Sequence, residues 1–151
     1  MKIPKPLLAL LIALIALLSC DIRSDAQTPP VPGLLTIKVD GLKIAEGKLV
    51  VSVFRQGDDL FGAPFLKQTI SITEPTAVIE FPNVPYSTYS VFAYHDINNN
   101  GLLDHNSLHI PKEPMGWSNH WHFGVFTGMP KFEKTKFIFS HDNASITISL
   151  K

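Results

Sequence analysis

The chain has 151 residues, a length typical of a single domain. Its 13 Lys and Arg residues balance 13 Asp and Glu residues, and the sequence contains no basic run and no stripe of alternating basic and aromatic residues. That composition excludes the electrostatic footprint of a nucleic-acid-binding protein, so nucleic acid is not an expected partner.

Residues 1–20, MKIPKPLLALLIALIALLSC, have the pattern of an export signal. Lys2 and Lys5 precede an apolar run from Leu7 to Leu18, which is short for a transmembrane helix and typical of the apolar segment of a signal peptide. We therefore expect the chain to leave the cytoplasm.

The segment Leu17-Leu18-Ser19-Cys20 resembles the bacterial lipobox, in which the Cys becomes the lipidated first residue of the mature protein. Cys20 is the only Cys of the chain, so the exported domain would form no disulfide. A signal cleaved after Ala26 and an uncleaved anchor are the alternatives. Lipidation at Cys20 would hold the protein on a membrane of the bacterial cell envelope, with the domain facing the periplasm or the cell exterior.

Residues 21–33, DIRSDAQTPPVPG, are expected to form a polar, Pro-rich linker, and residues 34–151 are expected to form the domain. Loss of Lys2 and Lys5 with the signal leaves 11 basic residues against 13 acidic ones, a net charge of minus two. The exported chain is thus slightly acidic.

Apolar residues alternate with a period of two along most of the domain, which predicts seven strands. The alternating positions are Leu35, Ile37 and Val39; Leu49, Val51 and Val53; Ile70 and Ile72; Val78 with the AVIEF run; Tyr89, Val91 and Ala93; Phe137 and Phe139; and Ile146, Ile148 and Leu150. Gly, Pro and Asn separate these segments, and no helical periodicity of useful length occurs. The pattern predicts an all-β, Ig-like or transthyretin-like β-sandwich of about seven strands, with an up-and-down barrel as the alternative.

A polar loop follows the fifth predicted strand and matches much of a calcium loop of EF-hand type. The predicted calcium ligands are Asp96, Asn98, Asn100, Asp104 and the backbone carbonyl of Leu102. Gly101 falls at the sharp turn of that motif, but Ser107 stands where the motif has a bidentate Glu. The alternative is a turn without metal, built from Asn side chains that bond to their own backbone.

The second half of the loop is expected to provide a binding surface for an envelope protein or a glycan. The residues of this predicted surface are Lys112, Glu113, Trp117 and Asn119. Lys112 and Glu113 lie between Pro111 and Pro114, and a stiff loop of this kind suits a ligand contact as well as an internal one. An internal contact from Glu113 back to the start of the loop is the structural alternative.

Three histidines form a competing metal site in the sequence. His120 and His122 would project to one face of a strand, and His95 lies next to Asp96, so the three imidazoles would suit copper or zinc. The alternative places the histidine pair in solvent, while Trp121 and Phe123 pack inward. A third hypothesis is a weak hydrolase with His95 as the base.

Several segments together resemble the bacterial secreted family known as domain of unknown function twenty-one forty-one. They are FPNVPYSTYSVFAYHDINNNGLLD, IPKEPMGWSN, GMPKFEKTKFIF and the final ITISL, which span about Leu34 to Leu150. Members usually carry Gly where this chain has His109 and Phe where it has Trp117. The resemblance implies a periplasmic or surface sandwich and brings no established activity.

The sequence contains no Cys nucleophile within the domain, no G-x-S-x-G segment and no P-loop. Ser118 could be combined with a His and an Asp into a triad, but the residue types alone make that pattern unspecific. The sequence therefore predicts a cell-envelope lipoprotein that acts as a non-catalytic binding or structural module, with calcium in the loop as its one expected cofactor.

Overall fold

A computed structural model describes residues 32–124 and 127–151. The predicted signal, Cys20 and the predicted linker as far as residue 31 lie outside the described residues. Pro32 and Gly33, the last two linker positions, belong to the first strand. Within the described ranges, no helix is long and apolar enough to cross a membrane.

Eight strands and one short helix make up the regular structure of the described residues. In chain order they are β1 (Pro32–Asp40), β2 (Lys48–Arg55), β3 (Leu66–Ser71), β4 (Ala77–Pro85), β5 (Ser87–Asp96), β6 (Met115–Trp117), α1 (Phe132–Thr135), β7 (Lys136–Phe139) and β8 (Ser145–Ser149). The all-β prediction is confirmed. The eighth strand is β6, which is too short for an alternating pattern to reveal it.

The strands form two sheets, of three and five strands. In the first sheet β1 lies between β4 and β8, antiparallel to β4 and parallel to β8. In the second sheet the order is β3-β2-β5-β6, and β7 pairs with the first half of β5 while β6 pairs with its second half. Met115 and the last residue, Lys151, exchange two backbone hydrogen bonds of 3.1 Å, so β6 also joins the chain that follows β8.

The main core fills the space between the two sheets. Its most deeply buried members, each at most 1% exposed, include Leu35, Ile37, Leu49, Val51, Val53, Ile79, Val91, Phe139 and Ile148. Most of the predicted alternating positions point into this core. In β4 the prediction that Val78 faces the core is wrong, because Val78 is 57% exposed and its neighbour Ile79 is buried.

Tyr89 fixes the turn between β4 and β5. Its hydroxyl donates a hydrogen bond of 2.8 Å to the carbonyl of Pro85, and its ring packs at 6.1 Å from the ring of Phe65. Burial raises the pKa of Tyr89 above its ordinary value, although the nearby Arg55 opposes the change. The residue is thus part of the architecture of the sandwich.

Candidate functional site

The loop that joins β5 to β6, residues 97–114, is organised around Asp96; we call it the Asp96 loop. Asp96 is fully buried at the end of β5 and accepts hydrogen bonds from the backbone N–H groups of Asn100, at 3.1 Å, and Gly101, at 2.8 Å. The Tyr94 hydroxyl donates to the carbonyl of Gly101 at 3.1 Å, which ties the turn to the strand. Burial raises the pKa of Tyr94, and the negative charges of Asp96 and Glu113 raise it further.

Three of the predicted calcium ligands, Asn98, Asn100 and Asp104, lie together, and their side chains are joined by hydrogen bonds within the loop. Asp104 accepts from the side-chain amides of Asn98, at 2.7 Å, and Asn100, at 3.1 Å. The side-chain oxygens of the same two Asn residues accept from the backbone N–H groups of Asn100, at 3.1 Å, and Leu102, at 2.8 Å. This is the turn of Asn side chains bonded to their own backbone that the sequence offers as the alternative to a calcium loop.

Glu113 lies under the Asp96 loop and not on the predicted binding surface. It is 6% exposed, and its two carboxylate oxygens accept from the backbone N–H groups of Ile97, at 2.9 Å, and Asp104, at 3.1 Å. Backbone N–H groups that are partly shielded from water need acceptors, and one carboxylate here satisfies two of them. Glu113 therefore braces the two ends of the polar turn.

The other residues of the predicted binding surface are not gathered in one place. Lys112 is exposed on the Asp96 loop, whereas Trp117 is 3% exposed on β6. Asn119 is exposed, and its amide donates to the carbonyl of Lys134 at 3.0 Å. Trp117 alone of this set lines a large cavity of the domain.

The outer face of the five-stranded sheet carries that cavity, a groove of about 480 Å³. Its floor contains an aromatic cluster in which Phe92 packs on Trp117, at 4.6 Å between ring centroids. Phe54 is 6.1 Å from Trp117, and Trp121 meets the same indole edge-on at 6.3 Å. This second hydrophobic cluster is separate from the core between the sheets.

Three connecting segments form the walls of the groove. The connection between β2 and β3 contributes Leu60, Phe61, Gly62 and Pro64, and the Asp96 loop contributes Leu102, Leu103, His105, His109 and Pro111. The segment after β6 contributes Trp121, Phe123, Met129 and Pro130. Phe61 and Met129 are each 62% exposed, and Leu102 is 67% exposed. Apolar side chains thus crowd the groove and its rim.

The three predicted metal-binding histidines are dispersed. His95 is fully buried on the core side of β5, where its Nε2 lies 2.6 Å from the carbonyl oxygen of Glu46. The sequence pattern predicts a strand at His120 and His122, and the structure has none there. Asn119 and His120 have φ angles of +56° and +53°, which turn the chain. The described residues contain no group of three or more His, Cys, Asp or Glu side chains that is placed to hold a metal ion.

His122 borders a smaller cavity of about 160 Å³ together with Glu113, Met115 and Lys151. Desolvation lowers the pKa of His122 below its usual 6.5, and the positive charges of Lys151 and His120 act in the same direction. The folded state therefore favours neutral His122. Its contribution to stability is present above pH 6.5 and is lost as the pH falls through the lower pKa of the folded state.

Ser118, which the sequence allows as a triad nucleophile, forms hydrogen bonds with backbone groups. It is 1% exposed, its hydroxyl accepts from the N–H of Val91 at 2.8 Å, and the same hydroxyl donates to the carbonyl of Thr135. Ser90 and Thr135 extend this buried network with a hydroxyl contact of 2.7 Å. The network holds α1 and the chain after β6 against β5.

The groove is the feature that the sequence pattern does not predict. Period-two reasoning assigns one face of each strand to the core and leaves the other to solvent. The sequence does contain one sign of a covered outer face, because two strands are apolar on both faces. Val50 and Phe54 alternate with the core residues of β2, and Phe92 and Tyr94 alternate with those of β5. A strand that is apolar on both faces is covered on both faces.

The comparison with protein families places the domain in a bacterial family. The model of the family described as "Uncharacterized protein conserved in bacteria (DUF2141)" matches residues 37–147, which is most of the described domain. Comparison with curated proteins and with solved structures found no match.

Proposed function

Because the chain belongs to this family of bacterial proteins, whose description states no activity, we propose a function from the site itself: a non-catalytic binding module of the cell envelope that holds a small apolar ligand in the groove. The observation that carries the proposal is a cavity of about 480 Å³ with an aromatic floor. Small-molecule sites are commonly clefts of roughly 300–1,000 Å³ that are lined by apolar and aromatic side chains with a few polar groups.

The arrangement of exposed apolar residues supports the same proposal. Phe61, Leu102 and Met129 lie in three different segments of the chain, and all three line the groove. Contiguous exposed apolar surface on a water-soluble domain commonly marks a binding site. An envelope protein or a glycan, the partner expected from the sequence, would meet the same rim.

The Asp96 loop has a supporting role in this proposal. Leu102, Leu103 and His105 form one wall of the groove and follow directly on the turn around Asp96. The buried carboxylates of Asp96 and Glu113 fix the backbone of that turn. A wall that is held in place before the ligand arrives loses less conformational entropy on binding.

Substitution of two wall residues is expected to weaken binding of an apolar probe. Titrations would use a soluble form, residues 21–151, which retains both sheets and the core between them, with N-phenyl-1-naphthylamine as the probe. Phe61→Ala combined with Trp121→Ala should raise the dissociation constant at least about tenfold, because burial of one aromatic side chain is worth roughly 1.5–3 kcal/mol. The quenching of tryptophan fluorescence reports binding, since Trp117 lies in the groove in every variant.

The matched control for that titration is Val78→Ala. Val78 is 57% exposed, close to the 62% of Phe61, but it lies on β4 in the other sheet. The control should bind the probe as the wild type does. Equal affinity in the wild type, the control and the double variant would show that the probe does not bind in the groove.

The envelope location rests on the sequence and is part of the proposal. Cys20→Ala should abolish incorporation of labelled fatty acid and release the protein from membranes, because Cys20 is the only thiol that could accept the lipid. The measurement is labelling of growing cells followed by separation of membrane and soluble fractions. Unchanged labelling in the variant would refute the lipid anchor.

Calcium in the Asp96 loop is a second proposal, supported by the convergence of Asn98, Asn100 and Asp104. An ion there would replace the amide donors that now contact Asp104. Free calcium at a hundred times its dissociation constant should then stabilise the folded domain by about 2.7 kcal/mol, and magnesium should stabilise it less.

Thermal unfolding of the soluble form in calcium and in chelator measures this effect. The matched variant is Asp104→Asn, which keeps the size of the side chain and removes its charge. The calcium-dependent shift should disappear in that variant. Identical wild-type melting curves in calcium and in chelator would leave the hydrogen-bonded turn as the complete account of the loop.

A further inference from the structure

One row of side chains crosses the floor of the groove from strand to strand. The register pairs Lys67 of β3 with Ser52 of β2, Ser52 with Phe92 of β5, and Phe92 with Trp117 of β6. All four residues line the groove. The floor therefore changes, along a single line, from an ammonium group through a hydroxyl to a phenyl ring and an indole.

The spacing of the strands sets the scale of this row. Neighbouring strands lie about 4.8 Å apart, so Phe92 is about 10 Å from the strand of Lys67, and Trp117 is about 14 Å from it. A ligand of two or three fused or linked rings has that length. The rings of Phe92 and Trp117 are 4.6 Å apart and inclined by 30°, so they stack on each other and close one end of the row with aromatic carbon.

The described residues that line the groove carry permanent charge of one sign. Lys67 is the one described lining residue with a permanent charge, and the other titratable lining residues are His105 and His109. No Asp or Glu is among the described residues that line the groove. Electrostatic complementarity favours a negative ligand at the Lys67 end and disfavours a cation.

On these grounds we infer that the ligand of the groove is a flat apolar molecule that carries one anionic group, such as an aromatic carboxylate or sulfonate. Its rings lie against the aromatic end of the row, formed by Phe92 and Trp117, and its anionic group lies beside Ser52 and Lys67. The inference rests on the proposed function, because it names the ligand class of the same site.

Two probes that differ by one charged group test this inference. 8-Anilinonaphthalene-1-sulfonate and N-phenyl-1-naphthylamine share their ring system, and only the first carries a sulfonate. Each would be titrated into the soluble form and into Lys67→Gln, which keeps most of the side-chain length and loses the charge. Lys38→Gln is the matched control, because Lys38 is an exposed strand lysine in the other sheet.

The wild type and Lys38→Gln should bind the sulfonate more tightly than the neutral probe. Lys67→Gln should weaken sulfonate binding by about three- to fivefold, the scale of an exposed ion pair, and should change the affinity for the neutral probe by a smaller factor. Added salt should reduce sulfonate affinity in the wild type and have little effect in Lys67→Gln.

The titrations distinguish failure of the groove to bind any apolar ligand from failure of its preference for an anionic one. Binding of neither probe at the groove would overturn the proposed function together with the inference. Equal binding of both probes, or sulfonate binding that does not depend on Lys67, would overturn the inference alone. A stable dimer in size-exclusion chromatography that dissociates only when the groove residue Phe61 is replaced would show that a second copy occupies the groove, and it would also overturn the inference.

Discussion

Replacement of Gly47 with alanine is expected to destabilise the domain by roughly 3 kcal/mol, the sum of backbone strain and a steric clash. Gly47 has a φ angle of +81°, which alanine adopts at a cost. A Cβ atom at this position would lie 2.4 Å from the carbonyl oxygen of Asp96 and 3.0 Å from the Cα atom of Ile97. Both contacts are with backbone, so the start of the Asp96 loop would have to move.

The control for this substitution is Gly57→Ala. Gly57 has a φ angle of +92°, but a Cβ atom there would meet no atom within 4 Å. The control carries the backbone strain alone and should cost about 1–2 kcal/mol. Urea unfolding of the soluble form, followed by circular dichroism, measures both changes. Equal losses in the two variants would show that the close approach of Gly47 to the loop is unimportant.

Glu113→Gln is expected to destabilise the domain by about 1–2 kcal/mol, because a partly buried backbone N–H loses its acceptor. The Glu113 carboxylate accepts from Ile97 and Asp104 through separate oxygens. A Gln side chain has one oxygen, and its NH₂ group would face one of the two N–H donors. The Asp96 loop should loosen, and the groove wall that it forms should hold the neutral probe less tightly.

Glu80→Gln is the control for this second substitution, since Glu80 is exposed on β4. It should change the free energy of unfolding by no more than about half a kcal/mol, as surface substitutions usually do. Urea unfolding gives the stability, and titration with N-phenyl-1-naphthylamine gives the affinity. If Glu113→Gln behaves like the control in both measurements, Glu113 does not brace the loop.

The strands of the core could be predicted from the sequence because their pattern has a direct physical cause. Leu49, Val51 and Val53 alternate with a period of two, and all three are completely buried between the sheets. Tyr89 and Val91 on β5 follow the same rule. The strand β6 escapes this rule because it contains three residues, and its partner is fixed by contacts distant in sequence.

The polar loop was predictable in position, and its internal bonding was predictable in part. Asp96 and Asn100 occupy offsets that suit both a calcium loop and a turn bonded to its own backbone. The difference between the two depends on the direction of each amide group, which the sequence does not encode. The burial of Glu113 is likewise a result of tertiary packing.

The groove was not predictable from alternation alone. Ser52 and Phe92 are outer-face residues of strands whose other face fills the core, and they pair across the sheet only through its register. The walls come from three segments that are far apart in sequence. Their meeting depends on the order β3-β2-β5-β6, which no local pattern determines.

The central claim, that the groove binds a small apolar ligand, is tested most directly by the indole signals of the two tryptophans. Both Trp117 and Trp121 line the groove, so a proton–nitrogen correlation spectrum of the soluble form observes it without any substitution. On addition of N-phenyl-1-naphthylamine, both indole signals should shift and saturate together, while the amide signal of Val78 on the other sheet stays in place. Indole signals that do not move, or shifts confined to the β4-β1-β8 sheet, would contradict the account.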